Sequence, residues 1–202
     1  HYAIHDRKGG AIVVEFIDGK KNVYDNPVNV LANGPEFPWH IANLKNYTFT
    51  NVDKNVGQLG KLKIEAVDSG IALSALPSAQ TSPGRFVKAA FYAHYVRKGK
   101  TPDEAILLLG HIMNNFDRPD GLTIDEAGGM GDGPHSEALS SEITDYTIMK
   151  DLTRNRTYVR SINALNWTMI DMGKLSGIKQ VKSVSVYDID KTNADALPSN
   201  PF

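Results

Sequence analysis

A β-branched run between two glycine-containing turns most constrains the fold of this chain. Ala11–Ile17 lies between Gly9-Gly10 and Asp18-Gly19. β-Branched residues favour strands, and Asp-Gly forms tight hairpin turns because Gly readily adopts positive φ. A helix over the same residues conflicts with both features. The sequence therefore predicts an antiparallel meander over residues 1–33, with further strands at Tyr2–His5, 21–24 and 28–31.

Helical signals follow the meander, and strand signals return after them. Residues 36–47 have helical spacing. Ser82-Pro83 predicts the capped start of a helix that stops by Gly99, and Thr101-Pro102 predicts the start of a second capped helix. These two helices are expected to form an antiparallel pair. A possible strand near residues 61–64 and later strands at 143–150, 157–163, 167–171 and 181–187 complete the prediction. The order of strands, helices and strands predicts an α+β fold.

Two segments are expected to lack regular structure. Residues 117–141 are rich in Gly and Asp, as in a long functional or disordered loop. Their acidic residues do not alternate as calcium ligands do. Residues 188–202 are expected to form a polar C-terminal tail.

Composition excludes several functions. The net charge of −1 over 202 residues gives no reason to expect nucleic acid or an anionic membrane as a partner, and no apolar run could span a bilayer. The six histidines form no metal-binding pattern, so we predict no metal and no cofactor. There is no cysteine, which excludes thiol catalysis within these residues. The first residue is His1, and we expect a processed or truncated N-terminus.

Four segments carry a family resemblance, and they occur in the family's order. They are 5–15 with a D-x-x-G turn, 30–44 with N-G-P-E-F-P-W-H-x-x-N-L, 76–88 with L-P followed by R-F-V-K, and 144–158 with T-D-Y-T. Together they resemble the choloylglycine hydrolase family of N-terminal-nucleophile amidases, which includes penicillin V acylases and bile salt hydrolases. The resemblance covers nearly the whole chain and implies the C-terminal, larger part of an α-β-β-α four-layer sandwich, with residues 1–202 as one partial domain.

The resemblance also assigns a candidate site. It implies that the side-chain amide of Asn33 stabilises an oxyanion, and that Arg85 lies beside the nucleophile. The residues themselves leave simpler alternatives open. Asn33 could form an Asx turn before Gly34-Pro35, and Arg85 could be an exposed helix residue. Arg85 does lie in the first turn of a predicted helix, where a cation opposes the helix dipole.

The family's nucleophile is an N-terminal cysteine, which this chain lacks. The resemblance therefore implies a separate N-terminal segment that carries the cysteine, and the chain alone is expected to be inactive. The complete protein is expected to hydrolyse a small-molecule amide, bile-salt-like or penicillin V-like, as a homotetramer, with the periplasm favoured over the cytoplasm. The alternatives are a non-catalytic fragment or degenerate paralogue, and an acyl-homoserine-lactone or lipid-amide acylase of the same fold.

Overall fold

The computed structural model describes residues 1–6, 8–54, 57–125, 140–181 and 183–190. Its contacts divide the chain into two compact units, His1–Arg97 and Lys98–Phe202. Each unit combines helices with antiparallel strand pairs, as the predicted α+β class requires. No helix in the described ranges is long and apolar enough to cross a membrane, and the longest has 14 residues.

The first unit begins with the predicted meander. Its elements are β1 (Tyr2–His5), β2 (Ala11–Ile17), β3 (Lys20–Asp25), α1 (Phe37–Asn43), β4 (Gly57–Leu59), β5 (Leu62–Ile64) and α2 (Ser82–Tyr95). β1, β2 and β3 form one antiparallel sheet, in which Asp18 and Gly19 adopt the positive φ of the predicted hairpin turn. β4 and β5 form a separate hairpin, which includes the expected strand near residues 61–64.

The core of this unit lies on one face of the meander sheet. Val13 of β2 is fully buried against Phe37 of α1 and Phe86 of α2. The two phenylalanine rings meet edge to face, with centroids 6.2 Å apart. α1 is shorter than predicted, because residues 44–46 tighten into a 3-10 turn. α2 is capped by the Thr81 hydroxyl, which accepts the Gly84 N–H at 3.2 Å, so the predicted cap at Ser82 is wrong by one residue.

The predicted fourth strand at residues 28–31 is wrong. Asn29 adopts a φ of 58°, which a continuing strand does not allow. The Asn26 side chain donates to the carbonyl of Val30 at 3.1 Å, and the Asn26 carbonyl accepts the Asn29 N–H. These local hydrogen bonds take backbone groups that a strand would offer to its neighbour. Residues 26–31 therefore form a turn that leads directly to Asn33.

The second unit is built around another antiparallel sheet. Its elements are α3 (Pro102–Met113), β6 (Ile124–Asp125), β7 (Ser140–Ser141), β8 (Tyr146–Asp151), β9 (Arg156–Ser161), β10 (Thr168–Asp171) and α4 (Val186–Asp190). The Thr101 hydroxyl caps α3 as predicted, accepting the Glu104 N–H at 3.2 Å. The strand order β8-β9-β10 confirms the second predicted meander. Since α2 and α3 belong to different units, their antiparallel pairing stays a prediction.

The expectations for the last strand, the C-terminal tail and the long loop differ from the structure or lie partly outside the described residues. The strand predicted at 181–187 is wrong, because the Ser185 carbonyl accepts the N–H groups of Asp188 and Ile189 and starts α4. Residues 188–190 of the expected tail belong to this helix, and 191–202 lie outside the described residues. Within the expected loop 117–141, β6 pairs with β7, and residues 126–139 lie outside the described ranges.

An ion-pair network fixes the β8–β9 turn. Asp151 accepts the N–H groups of Thr153 and Arg154, each at 3.1 Å, and it pairs with the Arg154 guanidinium. That guanidinium also donates to Asp103 of α3 at 2.6 Å. The hydrogen bond from the Arg154 side chain is the main cause that lowers the pKa of Asp151 from its ordinary value of 3.8.

We expect Asp151→Asn to lower the melting temperature of the chain at pH 7. A lowered folded-state pKa stabilises the protein above pH 3.8, and this contribution is lost as the pH falls through the lowered value. The difference between the variant and the native chain should therefore narrow below pH 3.8 in thermal melts. Asp120→Asn, at an exposed aspartate of the same unit, is the control and should change little. A difference that is constant with pH would contradict the ion-pair account.

Candidate active site

The two residues that the resemblance selects meet in the first unit. Nη2 of Arg85 donates to Oδ1 of Asn33 at 3.1 Å, although the residues are 52 positions apart in sequence. Arg85 lies in the first turn of α2, and its Nη1 also donates to the Gln80 carbonyl at 2.9 Å. Asn33 is exposed at the end of the turn that replaces the predicted fourth strand. Arg85 is half-buried and not an exposed helix residue, and its place beside the nucleophile stays a prediction.

The Arg85 hydrogen bond determines which atoms of Asn33 remain for a ligand. A guanidinium only donates, so the atom of the Asn33 amide that faces it is the oxygen. The two N–H bonds of Nδ2 then remain as donors. An amide oriented in this way, with a cation behind its oxygen, can stabilise negative charge that develops on a reacting oxygen.

A second cation lies one helical turn from Arg85. Lys88 is buried on α2, and its Nζ donates to Oε1 of Gln80 at 3.1 Å. Burial is the main cause that lowers the pKa of Lys88, and the neighbouring charge of Arg85 lowers it further. Gln80 therefore accepts a hydrogen bond from each cation, from Arg85 at its backbone oxygen and from Lys88 at its side-chain oxygen. This end of α2 is electropositive, which favours an anionic group nearby.

The backbone of Asn33 is held from the protein interior. His40 of α1 is fully buried, and its Nε2 lies 2.9 Å from the Asn33 carbonyl oxygen. Its ring stacks on Phe86 with centroids 4.6 Å apart and an interplanar angle of 17°. His40 therefore packs and hydrogen-bonds within the first unit.

Glu15 is a structural residue of the site that sequence reasoning missed. It is 4% exposed, and both of its carboxylate oxygens accept the Phe37 N–H, at 3.1 and 3.0 Å. We call residues 33–36 the Asn33 segment. His40 holds its first residue, and Glu15 holds Phe37, the residue that follows its last one. The available signal was a carboxylate two residues after Val13, on the inward face of an apolar strand.

The Asn33 segment borders a cleft. The cleft has a volume of about 220 Å³ and is lined partly by Glu15, Gly34 and Pro35. In the part of the chain that the structure describes, no three His, Cys, Asp or Glu side chains converge as metal ligands would. The candidate site contains the Asn33 amide and the two cations Arg85 and Lys88.

Comparison with known protein families identifies relatives of this chain. The profile of the linear amide C–N hydrolases, choloylglycine hydrolase family, matches residues 1–183. A bile salt hydrolase/transferase of Clostridium perfringens is 30% identical over 195 residues, which are 95% of this chain and 55% of that protein. A bile salt hydrolase/transferase of Bifidobacterium longum is 32% identical over 143 residues, 69% of this chain and 42% of that protein.

Solved structures of a conjugated bile acid hydrolase and a penicillin V acylase also resemble this chain. A mutant conjugated bile acid hydrolase from Clostridium perfringens superimposes with a TM-score of 0.71 at 29% identity, covering 89% of this chain and 52% of that one. Penicillin V acylase from Agrobacterium tumefaciens gives 0.60 at 26% identity, covering 90% and 48%. The chain spans about half the length of the relatives it matches. It belongs to the choloylglycine hydrolase family of linear amide C–N hydrolases.

Proposed function

We propose that this chain is the larger part of an enzyme that hydrolyses linear amide C–N bonds in a bile-salt-like or penicillin V-like substrate. The hydrogen bond between Arg85 and Asn33 is the observation that carries the proposal, because it prepares an exposed amide donor beside a cation. Amide hydrolysis passes through a tetrahedral oxyanion, and a preorganised donor of this kind lowers its energy. Family membership supplies the reaction class.

The nucleophile is proposed to be a cysteine in an N-terminal segment outside these 202 residues, which contain no cysteine. Its thiolate attacks the amide carbonyl carbon, the S–C bond forms, and the carbonyl electrons move onto oxygen. Nδ2 of Asn33 donates to that oxygen, while the charge of Arg85 favours the thiolate. The cysteine α-amine takes the thiol proton and passes it to the leaving nitrogen as the C–N bond breaks. The oxyanion returns to a carbonyl at the same time, which leaves a thioester. Water then attacks the thioester carbon, the S–C bond breaks, and the carboxylic acid and the cysteine thiol are released.

The complete fold is proposed to be a four-layer α-β-β-α sandwich. In the first unit the meander sheet packs against helices on one face and exposes apolar side chains on the other. These exposed residues are Tyr2, Ile4, Phe16 and Val23. A sheet with two apolar faces requires a layer on each side, which is the situation of an inner sheet in such a sandwich. A homotetramer is proposed for the complete protein.

A hydrolysis assay tests the proposed function. Penicillin V, conjugated bile salts, an N-acyl homoserine lactone and a lipid amide are incubated with the 202-residue chain alone and with the complete protein. We expect the complete protein to release amine from penicillin V or a bile salt, and the chain alone to release none. Preferred cleavage of the lactone or the lipid amide would overturn the substrate assignment, and no hydrolysis by the complete protein would favour the non-catalytic alternative.

A further inference from the structure

His40 contacts both halves of the candidate site. Its Nε2 lies 2.9 Å from the Asn33 carbonyl oxygen, and its ring stacks at 4.6 Å on Phe86, the residue after Arg85. A single buried ring thus bridges the segment that carries the amide donor and the helix turn that carries the guanidinium. Neither the proposed oxyanion contact nor the cation requires His40 to touch the substrate.

The hydrogen bond identifies the donating nitrogen of the His40 ring. A carbonyl oxygen only accepts, so the Nε2 atom must carry the proton. Nδ1 is buried and has no hydrogen-bond partner among the residues the structure describes. The ring is therefore an Nε2–H donor whose orientation the stack on Phe86 maintains.

The Asn33 segment depends on such an anchor. Asn33 is exposed, and its side-chain oxygen accepts a hydrogen bond of 3.1 Å from Arg85. The side chain reaches Arg85 only while the Asn33 backbone holds its position. Glu15 fixes the N–H of Phe37, four residues later, and His40 fixes the carbonyl of Asn33 itself.

We propose that His40 is a positioning residue. It holds the Asn33 backbone where the side-chain amide contacts Arg85 and can donate to the oxyanion. This inference rests on the proposed function, and it adds a residue that acts through Asn33. Loss of the Nε2–H donor lets the Asn33 backbone move, and displacement of a catalytic donor by about 1 Å can reduce turnover by about 10²-fold. A buried histidine with only a packing role would have no such effect on each folded molecule.

Two variants of the complete protein separate donation from packing. His40→Phe keeps a flat ring on Phe86 and removes the donor, whereas His40→Gln loses the ring and places an amide N–H near the position of Nε2. We expect His40→Phe to reduce kcat by about 10- to 10²-fold with little change in KM, and His40→Gln to recover part of this loss. All rates are compared per folded molecule.

Tyr95→Phe is the matched control. The Tyr95 hydroxyl donates to the Phe49 carbonyl at 3.1 Å, so this variant also removes a side-chain donor to a backbone carbonyl while keeping its ring. We expect its kcat to remain within about twofold of the native value. Equal kcat for His40→Phe and Tyr95→Phe would overturn the inference, as would a His40→Gln variant no more active than His40→Phe.

A crystal structure of the complete His40→Phe protein tests the inference independently of catalysis. We expect the Asn33 amide to lie beyond hydrogen-bonding distance of the Arg85 guanidinium. An unchanged Arg85–Asn33 hydrogen bond would overturn the positioning role even if activity falls. Conversely, if Asn33→Ala leaves kcat unchanged, the proposed role of Asn33 fails, while this structure still decides whether His40 sets its geometry.

Discussion

Replacement of Asn33 by Ala in the complete protein is expected to lower kcat by about 10²- to 10³-fold, the usual cost of losing one oxyanion donor. KM should change little, because the donor acts mainly in the transition state. The structural reason is the contact with Arg85, which takes the amide oxygen and leaves the N–H bonds to the substrate. Steady-state hydrolysis of the best amide found in the substrate panel measures the effect.

Two further variants give this prediction its controls. Asn33→Asp keeps the shape and an acceptor for Arg85 but removes the N–H donors and adds a negative charge, so we expect at least the same loss of kcat. Asn46→Ala removes an exposed amide that donates to Oδ1 of Asn43 at 3.2 Å, and it should leave kcat unchanged. An Asn33→Ala enzyme with nearly native kcat would remove Asn33 from the mechanism.

Phe86→Ala is expected to have the largest effect on stability, about 3–5 kcal/mol of the free energy of unfolding. Phe86 is 0% exposed and packs between the Phe37 and His40 rings, so its removal leaves a cavity in the core of the first unit. Because the chain has two tryptophans, a Trp167→Phe background makes Trp39 the single fluorescent reporter of this unit. Urea denaturation followed at Trp39 gives the free energy.

Phe16→Ala is the matched control for this measurement, because it makes the same change at a side chain that is 63% exposed on the opposite face of the meander sheet. In the 202-residue chain its effect should stay within about 0.5 kcal/mol, as for most surface substitutions. A loss for Phe86→Ala no greater than that for Phe16→Ala would contradict the core described for the first unit.

Elements with strong local signals could be predicted from the sequence. The β2–β3 hairpin follows from β-branched residues around Asp18-Gly19, and α3 follows from Thr101-Pro102. The strand predicted at 28–31 failed because the side chain of Asn26 and the left-handed Asn29 form a local turn there. The strand predicted at 181–187 failed because backbone bonds from Ser185 begin a helix instead.

The candidate site was predicted only through the family resemblance. Local pattern alone favoured a turn residue at Asn33 and an exposed cation at Arg85, because nothing near either residue in sequence shows that they meet. Their contact depends on the Phe86 core, which brings α2 to the meander sheet. The roles of Glu15 and His40 depend on the same packing, and the sequence pattern indicates only that Glu15 lies on the inward face of its strand.

The most direct test of the central claim is to locate the acyl group during turnover. The complete protein is incubated with a slowly hydrolysed amide substrate, and the reaction is quenched with acid during turnover. The protein is then digested and analysed by mass spectrometry. We predict an acyl group on a cysteine of the N-terminal segment, and no acylated peptide from the 202 residues described here. An acyl group on a serine, threonine or lysine within these residues would contradict the account, because the chain would then supply its own nucleophile.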